Sequence, residues 1–263
     1  MARMEATARP LRIGHLYPDL MKIYGDLGNV IALRNRAAWR NIPVEVVELG
    51  EGSWDAREVD IFFIGGGQDL DQSRMYLDLL GKRSQLVSAV TSGAAILAVC
   101  GGYQLLGHAY SDAHGKVLEG IGLIDGTTTA GEGRWIGNVV VEAGEALGLG
   151  PVPLAGFENH GGNTWLGSGV APLGRVLVGG GNNGVDGTEG AVQGNVIGTY
   201  LHGSFLPRNP RVADWLLAAG LRHRDKAWIG PLADLDDTVE LAAQRSAVAI
   251  AMAEKGRKAV ARA

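Results

Sequence analysis

The residue types best suited to nucleophilic chemistry are one cysteine and one histidine, each placed where an apolar run ends. Cys100 is the only cysteine in the chain; it closes the run AAILAVC and precedes Gly101 and Gly102. A cysteine on a sharp turn from a strand into a helix is exposed at the edge of a sheet, and the positive helix N-terminus favours its thiolate. A buried core thiol is the alternative, because free cysteine is often buried.

A glycine-rich loop after a second apolar run is suited to binding a negatively charged oxygen. In the segment IGGGQD (64–69), the backbone N–H groups of Gly66 and Gly67 are candidate donors to an oxyanion, together with the N–H of Gly101. A nucleotide-binding turn is the alternative. However, this loop does not match the dinucleotide fingerprint, and the sequence contains neither the phosphate-binding G-x-x-x-x-G-K-[ST] nor the serine elbow G-x-S-x-G.

The general base that such a cysteine needs is best supplied by His202. In GTYLHGS, this histidine ends the last β-like run and precedes a glycine. Cysteine and histidine partners meet in space rather than in sequence, so their separation along the chain is no obstacle. His160, in GFENHGG, is the competing candidate, and a surface or structural role is the alternative for either histidine. The metal-binding spacings H-x-x-x-H and C-x-x-C are absent from the sequence.

Strand-like and helix-like segments must position these residues, and they alternate over the first part of the chain. The alternation predicts βαβ units, a parallel sheet and one α/β domain. The runs of the second half lie between glycine turns, so we expect short antiparallel strands or hairpins attached to that sheet. The predicted strands are 11–17, 44–49, 59–67 and 94–100, and the predicted helices are 29–41, 73–92, 103–109, 209–219 and 237–258.

Composition excludes several classes of function. The net charge is −4 and no long basic tract is present, which disfavours nucleic-acid binding. No apolar run approaches the roughly 18 residues of a membrane span, and the N-terminus has no hydrophobic signal segment. One cysteine permits no intrachain disulfide, so we expect a cytoplasmic protein. The 41 glycines indicate either a site built from backbone N–H groups or a loop-rich fold.

Four segments together carry a resemblance to a known family. IGGGQD, AVCGGYQLLG, GFENHGG and GTYLHGSF resemble the class I glutamine amidotransferases of the CobB/CobQ-like branch, and the opening GHLYPDLMKIYGDLGN resembles the GatD subfamily. The resemblance implies an α/β, flavodoxin-like fold with a mostly parallel central sheet and helices on both faces. We expect the CobB/CobQ-like domain to span residues 1–225 and a C-terminal helical extension to span residues 226–263.

The resemblance also implies roles for individual residues. Cys100 matches the family nucleophile, His202 matches the family histidine, and Arg134 in GEGRWIGN matches an arginine that binds glutamine. A guanidinium can hold the α-carboxylate through two parallel hydrogen bonds, whereas a solvated turn arginine is the alternative. Many members of this class carry a glutamate two residues after the histidine, where this chain has Ser204. We therefore expect the third catalytic group to be Glu158 or an acid from a partner subunit.

A glutaminase subunit is the function that the resemblance implies. L-glutamine would be hydrolysed through a cysteine thioester, and the ammonia would pass to a Mur-ligase-like MurT subunit in a heterodimer. That partner would use ATP and Mg²⁺ to amidate D-glutamate of lipid II to D-isoglutamine in peptidoglycan synthesis, and this chain would need no cofactor or metal. Three alternatives stay open: a glutaminase for another acceptor such as a cobyrinate, a Cys–His hydrolase or peptidase of the same fold, and a non-enzymatic subunit.

Overall fold

Two β-sheets and the helices packed on them form the described part of the chain. The computed structural model describes residues 9–21, 26–67, 69–112 and 114–262. The strands are β1 (Leu11–Leu16), β2 (Val44–Leu49), β3 (Ile61–Ile64), β4 (Ala95–Val99), β5 (Ala109–Ser111), β6 (Val117–Glu119), β7 (Gly126–Ala143), β8 (Pro153–Leu166), β9 (Gly174–Val178), β10 (Thr188–Glu189), β11 (Ala191–Gln193) and β12 (Val196–Thr199). The α-helices are α1 (Leu27–Ala38), α2 (Asp69–Gly81), α3 (Arg83–Thr91), α4 (Gly101–Leu106), α5 (Phe205–Arg208), α6 (Pro210–Arg224) and α7 (Thr238–Arg262). Within these described ranges, no helix combines the length and the apolar character that crossing a bilayer requires.

The first sheet brings several strand ends to one edge. Its strand order is β11-β12-β4-β3-β1-β2, and every neighbouring pair is parallel except the hairpin β11–β12. All side chains of the central strands β3 and β4 are buried, as expected of a parallel sheet that is covered on both faces. The carboxyl ends of β1, β3, β4 and β12 therefore meet at the same edge, which is where ligands bind in open α/β sheets.

The helices on this sheet are joined by a buried arginine. α1 packs against β1 and β2, whereas α6 packs against β1, β3 and β4. Arg36 of α1 is almost fully buried, and its guanidinium bonds both to Asp214 of α6 and to Asp237, which precedes α7. Because a planar guanidinium can serve two carboxylates at once, this side chain links three helical segments.

The second sheet is built around two long antiparallel strands. Its path is β10-β9-β7-β5-β6, and β8 pairs with β7 as well. The β7–β8 ladder changes register between Ala130 and Trp135, so the intervening residues form a bulge. α7 packs against β7 and β8. An isolated bridge between Phe157 and His202 connects this sheet to the segment that follows β12.

The prediction of an α/β fold with a mostly parallel central sheet is confirmed, but two details differ. The expectation of antiparallel strands attached to the main sheet is confirmed for the hairpin of β11 and β12 but is wrong for the other strands, which build a second sheet of their own. The helix expected over 73–92 is interrupted at Lys82. Its ammonium lies 5.4 Å from the ring centroid of Tyr17 and 4.9 Å from that of Trp54, and it bonds to Asp78.

Candidate active site

Cys100 lies on a strained turn between β4 and α4. Its backbone φ of 52° and ψ of −107° fall where residues other than glycine rarely occur. Such a conformation costs on the order of 1–3 kcal/mol and persists only where its surroundings fix it. Here the Cys100 N–H donates to Thr199 O at 2.8 Å, and the Cys100 carbonyl accepts from Gln104 N–H at 3.0 Å. These bonds hold the thiol at the edge of the sheet, where the residue is 7% exposed.

His202 reaches the same edge from the segment after β12 and is fully buried. Its backbone pairs with that of Phe157 in β8: the His202 N–H donates to Phe157 O at 2.8 Å, and the Phe157 N–H donates to His202 O at 3.1 Å. The bond from Cys100 to Thr199 fixes the end of β12 only a few residues earlier. The fold therefore brings the predicted nucleophile and the predicted base together.

His202 also contacts the carboxylate of Asp26, to which the sequence analysis assigns no role. Asp26, between β1 and α1, places Oδ1 at 3.2 Å from His202 Nδ1 and accepts a hydrogen bond from Gly66 N–H on Oδ2 at 2.9 Å. Asp26 is fully buried, as His202 is. One side chain therefore contacts both the imidazole and the glycine-rich loop that follows β3.

The surroundings of His202 favour its protonated form. Burial by itself lowers the pKa of His202, but side-chain interactions with Asp26 and Cys100 outweigh it and raise the pKa well above that of a free imidazole. His160 and Glu189 also interact electrostatically with this ring. An imidazolium beside a thiol stabilises the thiolate, which is the nucleophilic form of cysteine.

Glu158, the predicted third group, has a different role in the structure. Its carboxylate accepts hydrogen bonds from Gly180 N–H at 2.9 and 3.0 Å and from Gly181 N–H at 3.1 Å. The Nδ1 atom of His202, which an orienting acid must contact, faces Asp26 instead. The expectation for Glu158 is therefore corrected: this buried carboxylate fixes the glycine turn after β9.

The glycine-rich loop packs against the start of α4, but one of its expected donors is occupied. Gly102 N–H donates to Gly65 O at 3.2 Å, and a Cβ atom on Gly102 would lie 2.9 Å from that same carbonyl. Gly66 N–H donates to Asp26, so the oxyanion role expected for Gly66 is corrected as well. Gly67 and Gly101 stay predicted oxyanion donors; a Cβ atom on Gly67 would lie 2.4 Å from the sulfur of Met21, which shows how closely the first loop covers this segment.

Arg134 lies in the bulge of β7, beside the site. Its guanidinium donates to Asn159 Oδ1 at 2.9 and 3.2 Å and to Asn159 O at 3.3 Å. Arg134 interacts electrostatically with His160, and His160 does so with His202. The structure thus places an exposed cation close to the catalytic pair without direct contact between the guanidinium and the imidazole of His202 among the described hydrogen bonds.

Comparison with known proteins identifies the family of this chain. The model of the CobB/CobQ-like glutamine amidotransferase domain matches residues 12–210. This chain belongs to that family. It is therefore a glutamine amidotransferase, and the class I amidotransferase fold expected from the sequence is confirmed.

Two relatives and one solved structure give context for this amidotransferase. The GatD subunit of lipid II isoglutaminyl synthase (glutamine-hydrolyzing) from Staphylococcus aureus (strain N315) is 43% identical over 210 residues, which cover 79% of this chain and 83% of that protein. The subunit of the same name from Streptococcus pneumoniae (strain ATCC BAA-255 / R6) is 37% identical over 217 residues, which cover 81% and 82%. A glutamine amidotransferase structure from Thermotoga maritima is similar in fold, with a TM-score of 0.50, 17% identity and coverage of 91% and 94%. The resemblance to GatD is confirmed by the two relatives.

The competing histidine of this amidotransferase is held in a neutral state. Burial lowers the pKa of His160 to about 4. Its Nδ1 lies 2.9 Å from Gly162 O, a carbonyl that can only accept, and its ring stacks on Tyr200 with 3.6 Å between centroids. A ring fixed in this way does not form the imidazolium that a cysteine nucleophile requires, so His202 is the better candidate base.

The position of Asp26 in the sequence indicates a structural role rather than a contact with His202. It immediately precedes α1, where aspartate ordinarily caps a helix by accepting a hydrogen bond from the first turn. That ordinary role makes it look structural. The carboxylate makes no capping bond here, and the proximity of β1 to β3 turns it towards Gly66 and His202 instead.

The pKa of His160 should lie below that of a free imidazole, and the pKa of His202 should lie above it. We expect NMR of ¹⁵N-histidine-labelled protein to show that His160 gains a proton only near a pH of about 4, because its pKa is lowered by burial. His202 should keep its proton well above about pH 7 and lose it only in the alkaline range, because Asp26 and the thiolate stabilise the imidazolium. Cys100→Ala should lower the pKa of His202 and leave that of His160 in place. A neutral His202 at about pH 7 in the native chain would contradict the stabilisation of its imidazolium by Asp26 and Cys100.

Proposed function

We propose that this amidotransferase is the glutaminase subunit of a lipid II isoglutaminyl synthase. The observation that carries the proposal is the Cys100–His202 pair at the carboxyl edge of the first sheet, in a chain whose relatives are named as GatD subunits of that enzyme. A cysteine beside a protonated histidine is suited to attack an amide carbonyl and to protonate the departing nitrogen.

The proposed reaction has two halves. The Cys100 thiolate attacks the side-chain amide carbon of L-glutamine, the carbonyl electrons move to the oxygen, and N–H groups of Gly101 and Gly67 stabilise that oxyanion. Collapse breaks the C–N bond while His202 gives its proton to the nitrogen, which leaves as ammonia. The neutral imidazole then takes a proton from water, the hydroxide attacks the γ-glutamyl thioester, and glutamate leaves as the thiolate is regenerated.

Arg134 is the residue we assign to glutamine binding. It is exposed, it lies near the catalytic pair through His160, and Asn159 already holds its guanidinium in one orientation. A guanidinium presents several donors in one plane and can hold the α-carboxylate through two parallel bonds. Glutamine would then span from Arg134 to Cys100, with its side-chain amide at the thiol.

A second subunit would consume the ammonia. Amidation of a carboxylate requires activation, usually by ATP, and the sequence of this chain has no phosphate-binding G-x-x-x-x-G-K-[ST] segment. We propose a Mur-ligase-like MurT partner that holds ATP and Mg²⁺ and amidates the D-glutamate of lipid II to D-isoglutamine, in a cytoplasmic heterodimer. No cofactor or metal is assigned to this chain.

Ammonia release from L-glutamine tests the proposed activity. The native chain, alone and with its co-purified partner, should release ammonia and glutamate in equal amounts, and Cys100→Ala should reduce the rate to background because the thioester cannot form. Ammonia release that survives Cys100→Ala in the complex would overturn the mechanism. If glutaminase activity is present but D-isoglutamine is not formed from lipid II with ATP, the chain serves another acceptor, such as a cobyrinate.

Loss of Arg134 should act mainly on substrate binding. Arg134→Met is expected to raise KM for L-glutamine about 10- to 100-fold with a smaller effect on kcat, because a charge-assisted hydrogen bond of roughly 1.5–3 kcal/mol is lost. Arg175→Met is the matched control, since Arg175 is an exposed arginine of β9 that is paired with Glu142. Steady-state kinetics distinguish the two variants. An unchanged KM in Arg134→Met would remove this residue from the binding site.

A further inference from the structure

The side chain of Asp26 occupies a position from which it should cap α1, yet it does not do so. Asp26 is the residue before α1, and its carboxylate makes no bond to the N–H groups of the first turn. Both oxygens turn inwards: Oδ1 lies 3.2 Å from His202 Nδ1, and Oδ2 lies 2.9 Å from Gly66 N. An aspartate in this position ordinarily stabilises its helix, so this chain forgoes that stabilisation for two long-range contacts.

Burial makes those contacts mandatory. Asp26 and His202 are both fully buried. Burial of a carboxylate is unfavourable unless charged or hydrogen-bonding groups surround it. His202 supplies a positive partner and Gly66 supplies a backbone donor, so each carboxylate oxygen has its own partner. The arrangement is therefore stable only while the imidazole and the glycine loop both stay in place.

A carboxylate is the only side-chain group of this size that serves both donors. His202 Nδ1–H and Gly66 N–H each require an acceptor. Ionised aspartate offers two acceptor oxygens, whereas asparagine offers one oxygen and an NH₂ group that can only donate. In either orientation of an asparagine amide, one of the two donors would face another donor.

Contacts on both sides of Asp26 fix the surrounding segments. A Cβ atom on Gly28 would lie 2.2 Å from Ser204 Oγ, and the Leu206 N–H donates to Asn29 Oδ1 at 2.8 Å. The start of α1 is thus packed directly on the segment that follows His202. On the other side, a Cβ atom on Gly65 would lie 2.4 Å from Met21 O, so the first loop also lies against the glycine loop.

The other buried acids near His202 are committed elsewhere. Glu158 accepts from the glycine turn after β9. Glu189 accepts hydrogen bonds from Thr199 Oγ1 and Tyr200 N–H, and burial raises its pKa to about 8, which favours the neutral acid. Asp26 is therefore the carboxylate with both the contact and the charge that an orienting group for His202 needs.

We infer that Asp26 is the positioning residue that orients His202 and, through its second oxygen, fixes the glycine-rich loop, so that this chain itself supplies a carboxylate to the imidazole. The inference rests on the proposed function for its catalytic meaning. It follows that the Cys100–His202 pair is assembled in the isolated chain. It also follows that Gly66 supports the loop through its bond to Asp26.

Alkylation of Cys100 tests this inference without any use of glutamine. Cys100 is the only cysteine, so the rate of reaction with iodoacetamide reports on that thiol alone. The groups that face His202 are Asp26, Cys100, His160 and Glu189, from the loop before α1, the turn after β4, β8 and β10. In the native chain, the pH profile of this rate should contain a step in the alkaline range, where His202 loses its proton.

Asp26→Asn should move the alkaline step of that profile downwards by about 1–3 pH units, because a carboxylate next to the imidazolium is lost. Asp19→Asn is the matched control: it makes the same change at an exposed position of the same loop and should leave the profile in place. Asp26→Asn in a His202→Ala background should have no further effect on the rate, since Asp26 acts through His202. If circular dichroism shows that Asp26→Asn is unfolded, Asp26→Glu takes its place. This variant retains the charge and should keep the alkaline step near its native pH.

Turnover provides the second measurement. With L-glutamine, Asp26→Asn should reduce kcat by at least about 100-fold with a smaller change in KM, as expected when an imidazole loses its orienting acid. An alkylation profile and a kcat that match those of Asp19→Asn would overturn the inference. If Asp26→Asn moves the alkylation profile while the native chain and its complex release no ammonia, the inference holds and the proposed function fails.

Discussion

A carboxylate and an imidazolium that are buried together stabilise each other only while their contact is kept. Asp26 and His202 form such a contact across a separation of 176 residues, and both are fully buried. The same carboxylate holds Gly66, and the neighbouring residues of α1 pack on the segment after His202. One side chain therefore connects the segments that follow β1, β3 and β12. Cys100, on the strained turn after β4, lies within that frame.

The two sheets divide the work of the site. The first sheet supplies the groups for bond making and breaking, because its parallel strands all end at one edge. The second sheet brings Arg134 and His160 to the outside of that edge, and its β7–β8 bulge is what projects Arg134 from an otherwise regular ladder. The bridge between Phe157 and His202 joins the two sheets at the base itself. A change in how the sheets pack would thus move Arg134, which we propose binds glutamine, and His202 together.

The sequence could predict the fold class and the strand ends that carry Cys100 and His202, since both depend on local patterns. An apolar run followed by two glycines marks the turn at Cys100, and the alternation of strands and helices indicates a parallel sheet. It could not predict the partners of buried polar groups. Glu158 stands two residues from His160 in an apparently catalytic segment, yet a glycine turn some twenty positions later supplies its hydrogen bonds. Asp26 likewise looks like an ordinary helix cap in the sequence. Its actual partner, the Gly66 N–H, comes close only because distant segments pack together in the fold.

The central claim is that glutamine is cleaved through a covalent intermediate on Cys100. Hydroxylamine added during turnover tests it directly, because it attacks a γ-glutamyl thioester to give γ-glutamylhydroxamate. In the same reaction, mass spectrometry of acid-quenched protein can detect the glutamyl adduct on the peptide that contains Cys100. The account predicts hydroxamate formation that requires Cys100 and competes with the release of glutamate, together with a glutamyl adduct on that peptide. Steady ammonia release with neither hydroxamate nor adduct would contradict it.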